Sequence, residues 1–262
     1  MRALDTAATG MAAMDLQVQV IAGNIANSST TGFKSQRAEF QDLIYEHVQR
    51  IGAQASDNGN ILPVGIELGS GVKTVGTPRL MTQGTLSQTG NTLDLAIQGS
   101  GWFQILMPDG TFSYTRDGSF QMDNQGRMVT AEGNLVQPTI TIPPNSTGLT
   151  INAQGQVSVT LPGSTTSSIL GQLQLTTFIN DAGLQAQGSN LFVATPASGQ
   201  PQNNTPGLNN SGTLLQGSLE QSNVSAVTEI TNLIQAQRAY EMNSKVITAA
   251  DQMLQTTAQL MR

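Results

Sequence analysis

Apolar side chains recur at helical spacing along both ends of the chain and at strand spacing along its middle. Leu4, Ala7, Met11, Met14, Val18, Ile21 and Ile25 alternate steps of three and four, the a/d seam of a heptad. Leu233, Tyr240, Ile247, Leu254 and Met261 recur every seven residues, with Ala236, Ala250 and Met253 flanking the same face. The first stripe predicts a helix over residues 3–27, stopped by Asn27-Ser28-Ser29-Thr30-Thr31-Gly32. Gly10 and Gly23 weaken it locally. The second predicts a helix that starts near Asn223 or Ser225, both good N-cap types, and runs close to the last residue.

Between the helices, Phe40, Leu43, Ile44 and Val48 predict a further short amphipathic helix. Glycines are frequent from Gly52 to Gly76 and large apolar residues few, which reads as an extended arm. From Pro78 the period falls to two. Pro108-Asp109-Gly110, Asp117-Gly118, Asn124-Gln125-Gly126 and Glu132-Gly133-Asn134 follow at intervals of about eight, the pattern of a β-meander. Apolar runs at 149–151, 157–161, 169–179 and 191–193 continue it, and 196–211 reads as loop by composition. Residues 83–89 (QGTLSQT) are echoed by 216–222 (QGSLEQS), so two short strands are expected near each other, forming a neck that brings the helices together. The expected fold is α+β. A helical segment (1–45) leads into a Gly-rich extended arm (46–80) and a β-rich domain (81–221). A C-terminal helix (222–262) then pairs with the first in a coiled-coil-like layer.

Composition favours packing over chemistry. Charged residues make up 11 % of the 262 residues, against about 25 % in ordinary globular chains. The polar surface is mainly Gln, Asn, Ser and Thr, which hydrogen-bonds without long-range charge. Net charge is −6, and no Lys or Arg lies between Arg127 and Arg238. That argues against nucleic acid, which needs clustered cations. There is no Cys, hence no disulfide and no thiolate metal site. Asp5, Asp15, Gln17 and Gln19 interrupt any secretory h-region, so the N-terminus does not read as a secretory signal, and a protein working outside the cytoplasm would leave by a route that cleaves none.

Candidate chemistry is sparse. His47, the only histidine, sits beside Glu46 with no nucleophile-elbow motif in support. Gly65 to Thr74 (GIELGSGVKT) departs from a phosphate loop, since Val72 separates Gly71 from Lys73. Asp109, Asp117 and Asp123 sit at turns, where Asp bonds the local backbone. No catalytic residue, metal ligand or cofactor is expected. Burying the N-terminal stripe offsets only part of the entropy of ordering that helix. The termini are therefore expected to be mobile in an isolated copy and to order when copies stack.

With these segments placed, the sequence resembles the flagellar axial proteins of bacteria, the family of rod, hook and hook-associated subunits. Asn24 and Asn27, followed by Thr31-Gly32-Phe33-Lys34, are similar to its N-terminal motif, with Ser28 and Ser29 a mild departure. Ser222-Asn223-Val224, opening a helix that carries Gln237-Arg238-Ala239-Tyr240-Glu241, resembles its C-terminal signature. Residues 90–103, Pro108-Asp109-Gly110 and Tyr114-Thr115-Arg116 resemble its central β-domain.

The resemblance implies a non-enzymatic structural subunit, most like that of the basal-body distal rod. Such subunits self-assemble into a helical drive shaft that carries torque from motor to hook. A proximal rod or hook subunit, or a phage-tail or adhesin-stalk protein, are the alternatives. It implies as partners further copies, other rod proteins, the hook protein, the surrounding ring bushing and the type III export apparatus, with no nucleic acid and no small-molecule substrate. It places the chain in the basal body, from periplasm to outer membrane. Leu4, Met11, Met14, Val18, Ile21, Ile25, Leu233, Tyr240, Ile247 and Leu254 are the expected assembly residues. Asn24, Asn27, Gly32, Phe33, Lys34 and Asn223 are the motif residues, with the asparagines capping or joining helices and Gly32 allowing a left-handed exit.

Overall fold

The computed structural model describes residues 2–49, 64–163 and 166–260, and the chain divides into two compact units. One comprises Met1–Ala26, Gln36–Pro78 and Ser225–Arg262; the other comprises Asn27–Ser35 and Arg79–Val224.

The first unit is built on two helices, α1 (Arg2–Ala26) and α2 (Ala226–Leu260), which pack against each other. Leu4 lines one groove with Ala250 and Leu254, and Gly10 lies against Asn243, so the two run antiparallel. Gly10 lies on the face of α1 that meets α2. A Cβ there would stand 2.9 Å from Asn243 Nδ2, so a larger residue would push that side chain aside. Ser225 immediately precedes α2 and its carbonyl accepts from Glu229 N at 3.0 Å.

The predicted short helix over 40–48 is absent. In its place stand β1 (Glu39–Asp42) and β2 (Tyr45–Gln49), which pair antiparallel with β4 (Val72–Gly76) and β3 (Ile66–Gly69) respectively. Leu43 N donates to Gly71 O at 2.8 Å between the two ladders. A stripe of Phe40, Leu43, Ile44 and Val48 fits either period over so short a run, and long-range pairing decided it. The arm is thus extended but doubled on itself, with its stretch 50–63 outside the described residues.

The second unit holds the remaining strands: β5 (Leu86–Gln88), β6 (Leu95–Gln98), β7 (Phe103–Leu106), β8 (Phe112–Thr115), β9 (Gln121–Met122), β10 (Met128–Val129), β11 (Leu135–Gln137), β12 (Gly148–Ile151), β13 (Gln156–Thr160), β14 (Ser168–Gln172), β15 (Leu175–Thr177), β16 (Gln185–Gly188), β17 (Leu191–Val193), β18 (Gln202–Asn204), β19 (Thr213–Gln216) and β20 (Ser218–Glu220). Seven form one antiparallel sheet in the order β16-β17-β8-β7-β11-β10-β9. The predicted meander over β7 to β11 is not a simple one. β7 pairs with β8, and β9, β10 and β11 follow one another, but β11 pairs with β7, so between β8 and β9 the chain crosses from one side of β7 to the far edge. Its turns lie where the Asp-Gly and Asn-x-Gly signals put them. A three-stranded sheet, β12-β13-β14, completes the core with Leu95, Phe103, Ile105, Val136, Val157 and Leu173 all fully buried.

Two expectations change here. The run 169–179 divides into β14 and β15, because Leu173 turns into the core and its N–H bonds Gly155 O at 2.7 Å. The compositional loop 196–211 contains β18, which pairs with β15. The echoed segments do lie side by side: β5 and β20 pair antiparallel, with Leu86 opposite Glu220 and Gln88 opposite Ser218.

Candidate assembly interface

On α1, Ile21 is buried with Ala7 and Ala13, while Leu4, Met11, Met14, Val18 and Ile25 are half-buried. On α2, Leu233, Ile247 and Leu254 are half-buried around the buried Ala236 and Ala250. The structure thus brings most of the two heptad stripes together within one chain. Tyr240 is the exception and is exposed. Met261 lies outside the described residues. Where the ends of the helices meet, Leu4, Ala250, Met253, Leu254 and Thr257 line an open apolar groove of about 260 Å³.

A second stripe on α2 escaped the heptad reading. Val227, Ile230, Ile234, Met242 and Val246 recur at helical spacings, and every one is exposed. The signal was present in the same helix, but the seven-residue template selects the seam that pairs with α1 and passes over a second face. Isolated exposed apolar residues need no explanation, whereas a run of them along one helix marks a surface built for contact.

The motif residues divide between the units. In the helical unit, Asn24 is buried within α1 rather than capping it. Its side chain accepts from Gln36 N at 2.9 Å and donates to Gln36 O at 2.8 Å. One amide thereby satisfies both backbone groups of a residue twelve positions on.

In the β unit, Asn27 accepts from the Thr30 amide at its carbonyl and from the Thr30 hydroxyl at its side chain. Gly32 takes φ +68, the left-handed exit expected of it, and its N–H donates to Glu220 O at 2.8 Å. Any Cβ there would lie 2.8 Å from the Arg116 carbonyl carbon. Phe33 lies under the Arg79 guanidinium, 5.8 Å from the ring centre. Asn223 does not cap α2. It accepts from Ser35 N at 2.8 Å and donates to Leu80 O at 2.8 Å and to Thr82.

Lys34 lies at the centre of this junction. Its ammonium is 1 % exposed and donates to Glu220 Oε1 at 2.6 Å and to Thr82 O at 2.8 Å. Glu220 also accepts from Gly84 N at 2.9 Å and from Arg116 Nη1 at 3.1 Å. Arg116 donates to Gly99 O and stands 5.5 Å over the Trp102 ring. Burial pushes the Lys34 amine below its ordinary value, and Arg116 beside it pushes the same way. Burial alone would raise the Glu220 carboxyl. The Arg116 and Lys34 charges and the hydrogen bonds from Lys34 and Gly84 outweigh it and hold the group below the carboxylate range. The sequence shows Lys34 and Arg116 as motif members, but nothing local links either to Glu220.

The remaining chemical candidates take structural places. His47 faces Glu67 across the β2–β3 ladder, Nδ1 to Oε1 3.1 Å, both exposed. Residues 66–69 are β3 of that ladder and residues 72–76 are β4, paired with β1, so the glycine-rich stretch opens no helix. Asp109, Asp117 and Asp123 each bond the backbone two residues on, closing turns. Hydrogen bonds from Thr111 lower the Asp109 carboxyl, and those from Arg127 lower Asp123.

A chain whose two ends make one helix pair with an open apolar stripe, and whose interior makes one sparsely charged β unit, has the form of an assembly subunit. Three family models match along it. They are the flagella basal body rod protein over residues 4–34, the flagellar hook protein FlgE/F/G D1 domain over 96–159, and the flagellar basal body rod FlgEFG protein C-terminal over 215–260. The chain is 55 % identical to the flagellar basal-body rod protein FlgG of Caulobacter vibrioides, over 99 % of each chain. It is 49 % identical to that of Buchnera aphidicola from Acyrthosiphon pisum, over 96 % of each, and 38 % identical to that of Bacillus subtilis, over the whole of both. The chain belongs to the flagellar basal-body rod protein family.

Proposed function

We propose that this protein is a structural subunit of the distal rod of the flagellar basal body. Copies join through a heterologous interface that repeats without closing, which generates a helical tube. The tube carries torque from motor to hook through many shared contacts and needs no catalytic residue or cofactor. The inner layer is the α1–α2 pair. Leu4, Met11, Met14, Val18, Ile21, Ile25, Leu233, Ile247 and Leu254 hold each pair in register, and Tyr240 with the exposed α2 stripe meets neighbouring copies. The β unit forms an outer layer that turns inside the ring bushing, and its sparse charge suits close sliding contact. Other rod proteins and the hook protein adjoin it at either end. The subunit reaches its place, from periplasm to outer membrane, through the type III export apparatus without a cleaved signal.

The observation that carries this reading is identity to flagellar basal-body rod proteins across the full chain, reaching 55 %. The test is imaging of purified basal bodies from cells carrying an epitope-tagged copy. Label along the distal rod is expected. Label confined to the hook or to the proximal rod would reassign the subunit within the family, and loss of the gene without loss of motility would overturn the role.

A further inference from the structure

Residues 27–35 belong to the β unit, although the chain on either side of them belongs to the helical unit. Many polar contacts hold them there, among them Ser35 N to Asn223 Oδ1 at 2.8 Å and Arg79 Nη1 to Lys34 O at 3.2 Å. Gly32 N bonds Glu220 O, Leu80 N bonds Ser35 O at 2.8 Å, Asn190 bonds Thr31 O at 3.1 Å, and Lys34 inserts its ammonium beside Glu220. The segment's one large apolar side chain, Phe33, is only half-buried. The seven-stranded sheet, by contrast, is held by a closed apolar core.

The charges in the junction are unequal. Arg116, which follows β8, and Glu220, which ends β20, form a neutral pair within the rest of the β unit, and Lys34 is the additional cation. If the segment leaves, Glu220 keeps Arg116 and the Gly84 amide, so no orphaned charge remains behind. Lys34 meanwhile regains the hydration that burial removed, and its lowered pKa reflects that desolvation. Opening the segment therefore costs far less than opening the core, the condition for local unfolding as a separate unit.

We propose that residues 27–35 form a detachable strap, latched through Lys34 onto Glu220 of a β unit that stays folded when the strap is released. Native-state hydrogen exchange on the full chain tests this by comparing the Gly32 and Ser35 amides with those of β7 and β11. In the unaltered protein the strap amides are expected to exchange at least tenfold faster than the core and with little dependence on low denaturant. In Lys34→Met, which leaves the Arg116–Glu220 pair matched, strap exchange is expected to rise a further tenfold or more while core rates stay within twofold. In Glu220→Gln, which leaves two buried cations without an anion, core protection is expected to fall as well. Strap and core amides sharing one rate and one denaturant dependence in the unaltered protein would overturn the proposal, whatever the variants do. So would unchanged strap protection in Lys34→Met.

Discussion

At the scale of single residues, the junction is built from side chains that each settle several backbone groups at once. Asn223 serves Ser35 N, Leu80 O and Thr82 O. Asn223→Ala is expected to cost about 1–3 kcal/mol, since the abandoned groups lose their partner in a partly buried place; a urea titration reads it as a lower midpoint. Gly32→Ala meets two obstacles, a φ of +68 and the Arg116 backbone 2.8 Å from the new Cβ. About 1–3 kcal/mol of lost stability is expected from the same measurement. These positions differ in how far the sequence reveals them. Gly32 is legible, because a glycine ending a Ser/Thr run after a helix is a conformational signal. Asn223 and Lys34 are visible only as motif members. Their roles depend on partners that meet only on folding, and Lys34 and Glu220 stand 186 positions apart.

At the scale of elements, period was decisive where a segment was long and ambiguous where it was short. The 25 residues of α1 and 35 of α2 left no doubt about helix. The turns between β7 and β11 followed from turn chemistry repeated along one stretch, but the pairing of β11 with β7 in place of a meander is long-range and left no local mark. Residues 39–49 offered too few periods to separate helix from strand, and their state was set by partners at 66–76. The α2 stripe separates two kinds of contact. Val246→Asp or Ile234→Asp alters only the exposed face, so helix content by circular dichroism should match the parent while polymerisation and motility are lost. Val18→Asp or Leu254→Asp places a charge in the half-buried seam. That should lower helix content and block polymerisation, while the near-ultraviolet signal of Trp102 in the β unit remains. Polymers of normal yield from Val246→Asp would remove the exposed stripe from the interface.

For the whole molecule, the scarcity of charge makes each depressed carboxylate count. Glu220, Asp109 and Asp123 all hold pKa values below their ordinary ones in the folded chain. A depressed carboxyl contributes stability that is fully present above its unfolded value, about 4, and is lost as pH falls through its folded value. The unfolded chain binds more protons in that window, so stability must fall with acid. The urea midpoint should therefore vary little just below neutral pH and then drop steeply below about pH 4. Added salt should not restore the Glu220 share, because its partners Lys34 and Arg116 are buried with it and screening acts chiefly on exposed pairs. Asp123 offers the control. It sits in a surface turn, where Arg127 bonds it by both backbone and side chain. Asp123→Asn retains one acceptor oxygen but no titrating group, so proton uptake on acid unfolding should decrease, by at most about one proton per chain. A pH–stability curve with the same acid slope in parent and variant would show that this turn carries none of the linkage and leave it to Glu220 and Asp109.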